Sequence, residues 1–96
     1  MINYGAEIFR LSSMLDKEKI IHEVRYKING YQLAYPSFDN CICSATCNKY
    51  SYGGNRGLLE ISGLIDEKES LHDVLGYLSA EDVFKRIKKY EDNLNV

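Results

Sequence analysis

A chain of 96 residues and 11.0 kDa, 45% hydrophobic and 27% charged, falls in the range of a single small domain spanning 1–96, which excludes a two-domain enzyme. Its formal charge of −2, from 12 Lys plus Arg against 14 Asp plus Glu, gives no global attraction to nucleic acid or to an anionic membrane surface. The apolar runs are two or three residues long, such as Ile20-Ile21 and Leu58-Leu59, against the roughly 20 that a membrane helix needs.

Residues 4–16 are predicted to be helical. Tyr4, Ile8, Leu11 and Leu15 recur at helical spacing, Met14 widens the stripe, Phe9 flanks it, and Glu7 suits the positive end of the helix dipole. The polar run Asp16-Lys17-Glu18-Lys19 closes the pattern.

Residues 22–36 read as a β-hairpin. Asn29-Gly30 is the favoured dipeptide of a two-residue type I′ turn, because both central residues need positive φ. That turn pairs Ile28 with Tyr31, Tyr26 with Leu33 and Val24 with Tyr35, all on one apolar face. Glu23, Arg25, Lys27, Gln32 and Ala34 fall on the other, and Pro36 ends the second strand.

A third strand is expected at 40–48, with Cys41, Cys43, Ala45 and Cys47 on one face and Ile42, Ser44, Thr46 and Asn48 on the other. The glycine-rich loop 49–57 follows, then a fourth strand at 58–65. An acidic connection, 66–73, leads to a short fifth strand at 74–78. Ser79-Ala80-Glu81-Asp82 resembles a capping box and opens a last helix, with Val83, Phe84, Ile87 and Tyr90 at helical spacing. Lys88 and Lys89 are expected near its end, complementing the dipole. The fold class is therefore α+β: a two-layer antiparallel meander of four to five strands, with an N-terminal and a C-terminal helix on its apolar side. The other sheet face is left open.

Four features could carry chemistry. The cysteines are three, an odd number crowded into 41–47, which fits reduced thiols better than a disulfide scaffold. A Cys3His zinc site with His22 or His72 is an alternative, but Cys41 and Cys43 on one strand stand about 6.5–7 Å apart at Cα, and the common knuckle spacing is absent. Three small core residues are the preferred reading, since free cysteine is often buried. Neither histidine is tied by a short motif to a cysteine, so no catalytic thiol is read.

The loop Ser51-Tyr52-Gly53-Gly54-Asn55-Arg56-Gly57 is neither a phosphate loop nor a dinucleotide fingerprint. Its glycines suit close backbone approach, while Tyr50 and Tyr52 offer aromatic surface and Lys49 and Arg56 offer charge. On the last helix, Lys85, Arg86, Lys88 and Lys89 form a basic stripe that could meet phosphates, or could be an ordinary solvated face. The acidic connection lacks calcium-loop spacing. Acidic connection and basic helix together make the charge lopsided, which suits a protein partner.

Ser51-Tyr52-Gly53, Gly57-Leu58-Leu59-Glu60-Ile61, Gly76-Tyr77-Leu78-Ser79-Ala80-Glu81-Asp82-Val83-Phe84 and the hairpin Ile28-Asn29-Gly30-Tyr31-Gln32 resemble segments of a group of small proteins from phages and prophages of Gram-positive bacteria. The resemblance covers most of residues 26–88. It implies a bacterial or phage cytoplasmic setting and supplies no reaction, cofactor or catalytic residue.

The expected function is a non-enzymatic protein-interaction module, with a host or phage protein as partner. Its candidate surface comprises Lys49, Tyr50, Tyr52, Asn55 and Arg56 from the loop with Arg25 and Lys27 from the open sheet face. A second copy of the chain is a further possible partner, because a meander leaves free sheet edges. Binding of nucleic acid through the basic helix and a cysteine metal site are the alternatives. No cofactor and no membrane association are expected, and the N-terminal residues lack the pattern of a signal peptide.

Overall fold

The computed structural model describes residues 1–70 and 72–94; Leu71 of the acidic connection lies outside them. Helix α1 (Ala6–Lys17) is followed by strands β1 (Glu23–Lys27), β2 (Gly30–Pro36), β3 (Cys41–Cys47), β4 (Leu59–Ser62) and β5 (Val74–Leu78), and then by helix α2 (Ala80–Leu94). The strands form one antiparallel sheet in chain order, β1-β2-β3-β4-β5. This is the α+β meander with a helix at each end that the hydrophobic pattern predicts. No described helix is long and apolar enough to cross a membrane.

Period-3.6 and period-2 patterns meet in a single core. Ile8, Leu11 and Leu15 of α1, and Val83 and Ile87 of α2, are fully buried against Leu33, Cys43, Ala45, Cys47, Leu59 and Ile61 of the sheet. The start of α1 lies later than its apolar pattern suggests, at Ala6, and the Asn3 side chain accepts the Gly5 N–H at 3.0 Å. The end is a Schellman motif. Lys19 takes a left-handed φ of 57°, its N–H reaches the Asp16 carbonyl, and the Ile20 N–H reaches the Leu15 carbonyl at 2.9 Å. Ile20 is thereby tucked into the core.

The hairpin register differs from the expected one. Lys27 pairs with Gly30, Tyr26 with Tyr31 and Val24 with Leu33. The two turn residues are Ile28 and Asn29, at φ of 56° and 54°, so a type I′ turn forms one residue earlier than Asn29-Gly30. Packing decides this. A Cβ on Gly30 would overlap the Cys47 carbonyl oxygen and sit 2.7 Å from the Asn48 Cβ. Gly30 is therefore needed inside β2, where β3 ends against it, and the β-branched Ile28 is left in a left-handed conformation. The two faces survive because the pairing slides by two residues, and side chains alternate with period two.

Strand β4 is shorter than predicted. Gly63 and Leu64 turn to positive φ (89° and 56°) straight after Ser62. The β4–β5 ladder contains an irregularity, and Tyr77 there has φ of 60°.

At α2 the expected capping box is present: the Asp82 N–H donates to Ser79 Oγ at 3.2 Å, and the Ser79 N–H donates to Asp82 Oδ2 at 3.0 Å. The expected basic terminus is not. The helix continues to Leu94, so Lys88 and Lys89 lie in its interior and its last turn carries no basic residue. The helices are tied at their N-terminal ends. Glu7 accepts the Ala80 N–H at 3.0 Å, and Arg10 bridges Glu7 and Glu81. Further along α2, Lys88 pairs with Glu18 at 3.3 Å, and the Tyr35 hydroxyl donates to Glu91.

Replacing Ile28 with Asn puts a residue tolerant of positive φ at the first turn position and raises stability by about 0.5–1 kcal/mol. Gly30→Ala drives a methyl group into the end of β3 and lowers stability by about 1–3 kcal/mol. Urea denaturation reads both, and no gain in Ile28→Asn would contradict the observed turn.

Candidate functional site

The loop between β3 and β4 is built on Asn48, the one buried polar residue among those described, at 6% exposure. Its Oδ1 accepts the N–H groups of Tyr50 (2.8 Å) and Ser51 (2.9 Å). Its own N–H donates to Ser51 Oγ at 2.9 Å, and Ser51 Oγ–H returns to the Asn48 carbonyl at 2.9 Å. A short 3-10 turn, Gly54–Arg56, follows. Gly53 at φ of 94° enters this turn and Gly57 at φ of 71° leaves it. The Arg56 and Leu58 N–H groups both reach the Gly53 carbonyl at 2.9 Å. With so many amides spent internally, the loop cannot cradle a phosphate as a nest of free donors does. What it offers outward is side chains.

Two bonds fasten the loop to the sheet. The Tyr52 N–H donates to Glu60 Oε1 at 3.0 Å, and the Tyr77 N–H donates to the Tyr52 carbonyl at 3.1 Å. Gly76 lacks a side chain where one would collide with Tyr52. Tyr50, Tyr52 and Tyr77 remain 72%, 58% and 56% exposed. Tyr77 is a residue that pattern reading missed; its only sequence signal was the glycine before it.

On the open face, cross-strand neighbours form a polar row. Arg25 faces Gln32, Gln32 faces Thr46, and Thr46 faces Glu60. Arg25 Nε donates to Gln32 Oε1 at 2.9 Å, and Gln32 Nε2 donates to Thr46 Oγ1 at 3.2 Å. Glu60 then accepts the Tyr52 amide, so the row runs from β1 across the sheet into the loop. The Arg25 guanidinium also lies 3.9 Å from the centroid of the Phe38 ring, a cation–π contact. The structure thus places Lys49, Tyr50, Tyr52, Asn55, Arg56, Arg25 and Lys27 all at the surface. Its polar row links Arg25 to Tyr52, while Lys27 stands beside the hairpin turn at the sheet edge.

The cysteine strand divides. Cys43 and Cys47 are buried under the helices, whereas Cys41, expected among the buried small residues, is exposed. It stands where β3 begins, opposite Pro36, beyond the cover of the helices. Burial pushes the Cys43 thiol up to about 12 and the Cys47 thiol up to about 11, so neither supplies a thiolate near neutral pH. Among the described residues no group of three or more His, Cys, Asp or Glu could hold a metal ion.

His22 has a partner that no motif announced. Its Nδ1 lies 2.9 Å from the Ile20 carbonyl oxygen, so in the neutral ring Nδ1 carries the proton and Nε2 accepts from the Ser12 hydroxyl at 2.7 Å. Asp16 Oδ1 stands 3.7 Å from the same Nε2 and not behind the ring, where a triad would need it. Ser12 is inside α1, whose N–H groups are spent in the helix. The pair fixes the α1–β1 connection and has no donor set for an oxyanion.

The basic stripe is partly neutralised. Arg86 forms a two-pronged ion pair with Glu69 and also donates to the Leu64 carbonyl at 2.9 Å. Its guanidinium holds the Glu69 carboxyl down at about 2. Lys88 pairs with Glu18 and, at 2.9 Å, with Asp92. The acidic connection therefore folds onto the basic helix, and Lys85 and Lys89 are the cations left exposed on this stripe.

No protein-family model, curated protein or solved structure matches this chain.

Asn48→Ala removes the acceptor for two loop amides and lowers stability by about 1–3 kcal/mol. Hydrogen exchange at Tyr50 and Ser51 quickens more than in the sheet; equal change everywhere would deny Asn48 this role. In the native state a thiol reagent labels Cys41 first, and Cys43 and Cys47 react only on unfolding, as peptide mapping after timed alkylation will show.

Proposed function

We propose that this protein is a non-enzymatic interaction module that binds another protein through the 49–57 loop and the adjoining open sheet face. The observation that carries this reading is the hydrogen-bonded row from Arg25 through Gln32 and Thr46, which leads by way of Glu60 to Tyr52, itself more than half exposed like Tyr50 and Tyr77 beside it. Tyrosine and arginine are enriched among interface hot spots: both bring large contact area and a polar tip, and tyrosine does so with only two side-chain torsions to freeze. A loop whose backbone is already locked loses little further entropy on binding. The resemblance to phage and prophage proteins supports a host or phage protein as the partner in a bacterial cytoplasm.

Nucleic acid is the weaker reading. Arg86 and Lys88 are engaged within the fold, which leaves Lys85 and Lys89 to meet phosphates on that helix.

Affinity capture from a bacterial lysate treated with nuclease tests the proposal. The wild type should retain a partner that Tyr50→Ala, Tyr52→Ala, Arg56→Ala in combination loses by at least about tenfold, the cost of one or two hot-spot residues. Lys85→Glu with Lys89→Glu should leave retention intact. Retention abolished by nuclease or by the lysine variant would favour nucleic acid instead, and a partner indifferent to the loop variant would refute the surface.

A further inference from the structure

The two edges of the sheet are treated differently. At the β5 edge the ladder is irregular, and the loop caps the Tyr77 N–H through the Tyr52 carbonyl. The β1 edge lacks the backbone protections, since its register with β2 is unbroken over all five pairs and it contains no proline or bulge; only its charged side chains, Glu23, Arg25 and Lys27, guard it. In a hairpin with a two-residue turn the closing pair, Lys27 with Gly30, is hydrogen bonded, and pairs alternate from there. Val24 and Tyr26 are therefore the residues whose N–H and C=O groups point outward. Beside them lies uncovered apolar surface. Phe9 and Tyr26 each stack edge-on against Tyr31, at 5.0 and 5.3 Å between centroids, yet remain 51% and 65% exposed. Ile21 and Ile28, which flank β1, are 77% and 55% exposed.

We propose that this edge binds a second copy of the same chain, β1 against β1 in antiparallel register about a two-fold axis at Arg25. The sequence Glu23-Val24-Arg25-Tyr26-Lys27 is self-complementary in that register. Glu23 of each copy faces Lys27 of the other, and Val24 of each faces Tyr26 of the other on the helix side. The outward amide and carbonyl of Val24 meet those of Tyr26, so the hydrogen-bond phase agrees with the charge pattern. Arg25 would face Arg25, but each guanidinium is drawn back over its own sheet by Gln32 and the Phe38 ring. Lys27 has no ion pair among the described residues, and Glu23, whose Oε1 accepts the Phe38 N–H of its own chain at 2.8 Å, has its second carboxylate oxygen for the contact. Neighbouring registers fail. Centring on Tyr26 sets Arg25 against Lys27, a like-charge pair, and centring on Val24 leaves only 23–25 of the strand overlapped. Two sheets joined this way form one continuous sheet, with the exposed aromatic clusters of both copies flanking the seam.

Sedimentation over a concentration series tests the pairing by charge exchange. The wild type should show a reversible monomer–dimer equilibrium. Glu23→Lys alone and Lys27→Glu alone should each weaken it by about tenfold or more, as two attractive cross-strand pairs become repulsive. An equimolar mixture of the two variants should restore dimers, because lysines then face glutamates at both ends. On the wild type alone, the Val24 and Tyr26 amides should be protected from hydrogen exchange at high concentration and lose protection on dilution. This second readout does not depend on the variants folding. A wild type that is monomeric at every concentration, a dimer insensitive to either single variant, mixing without rescue, or fast exchange at both amides throughout would each overturn the proposal.

Discussion

The helix-side face of the sheet presents Leu33, Tyr35, Cys43, Ala45, Cys47, Leu59 and Ile61, and keeping that face dry governs the rest of the structure. The largest fully buried side chains among the described residues are contributed by both helices and the three central strands. Burying each large aliphatic side chain is worth about 1.5–3 kcal/mol, so this shared layer outweighs any single polar contact in the protein. Because five strands spend one face on it, their other face must be wet. The polar row from Arg25 to Glu60 is the consequence, and the ordered open surface exists because the opposite one is closed.

Close backbone packing at one end of the sheet imposes the second level of order. Strand β3 ends where Gly30 admits the Cys47 carbonyl, and where Asn48 enters the interior and gathers the loop amides around its side chain. A buried amide left without partners would destabilise the fold; satisfied, it fixes the loop in one conformation. The loop is then anchored by Glu60 on the open face and by the β5 backbone at the sheet edge. One feature thus positions the tyrosines and at the same time closes one edge of the sheet, leaving β1 as the free one.

Electrostatics acts locally in this protein. The net charge of −2 conceals an acidic connection and a basic helix face, but the fold brings them together through Glu69 and Arg86. Similar short-range pairing engages Arg10 and Lys88. Such exposed pairs add little stability each. Their larger effect is to remove charges from the pool available to a partner, which is why a basic stripe in the sequence is a weaker nucleic-acid signal than its lysine and arginine content implies.

Periodicity and local signals along the chain suffice to set the elements and the sides they present. The alternation from Glu23 to Tyr35 and the spacing of Ile8, Leu11 and Leu15 require only the intrinsic periods of strand and helix, and Ser79 with Asp82 signals a helix start through local hydrogen bonding. The meander of four to five strands, the burial of Cys43 and Cys47 and the exposed loop side chains were legible on those grounds. Long-range packing set the rest. Turn propensity favoured Asn29-Gly30 by a small local preference, but Gly30 lies inside β2, where the end of β3 approaches so closely that only a glycine fits. Cys41 shares the parity of Cys43, yet lies beyond the helices, because parity gives a face and not its cover. The contacts that bring Ser12 to His22, Tyr52 to Glu60 and Tyr77, and Glu69 to Arg86 span turns and loops whose path is set by packing. Local sequence fixes dihedral preference and facing; which distant groups meet depends on how the whole chain closes over its one dry face.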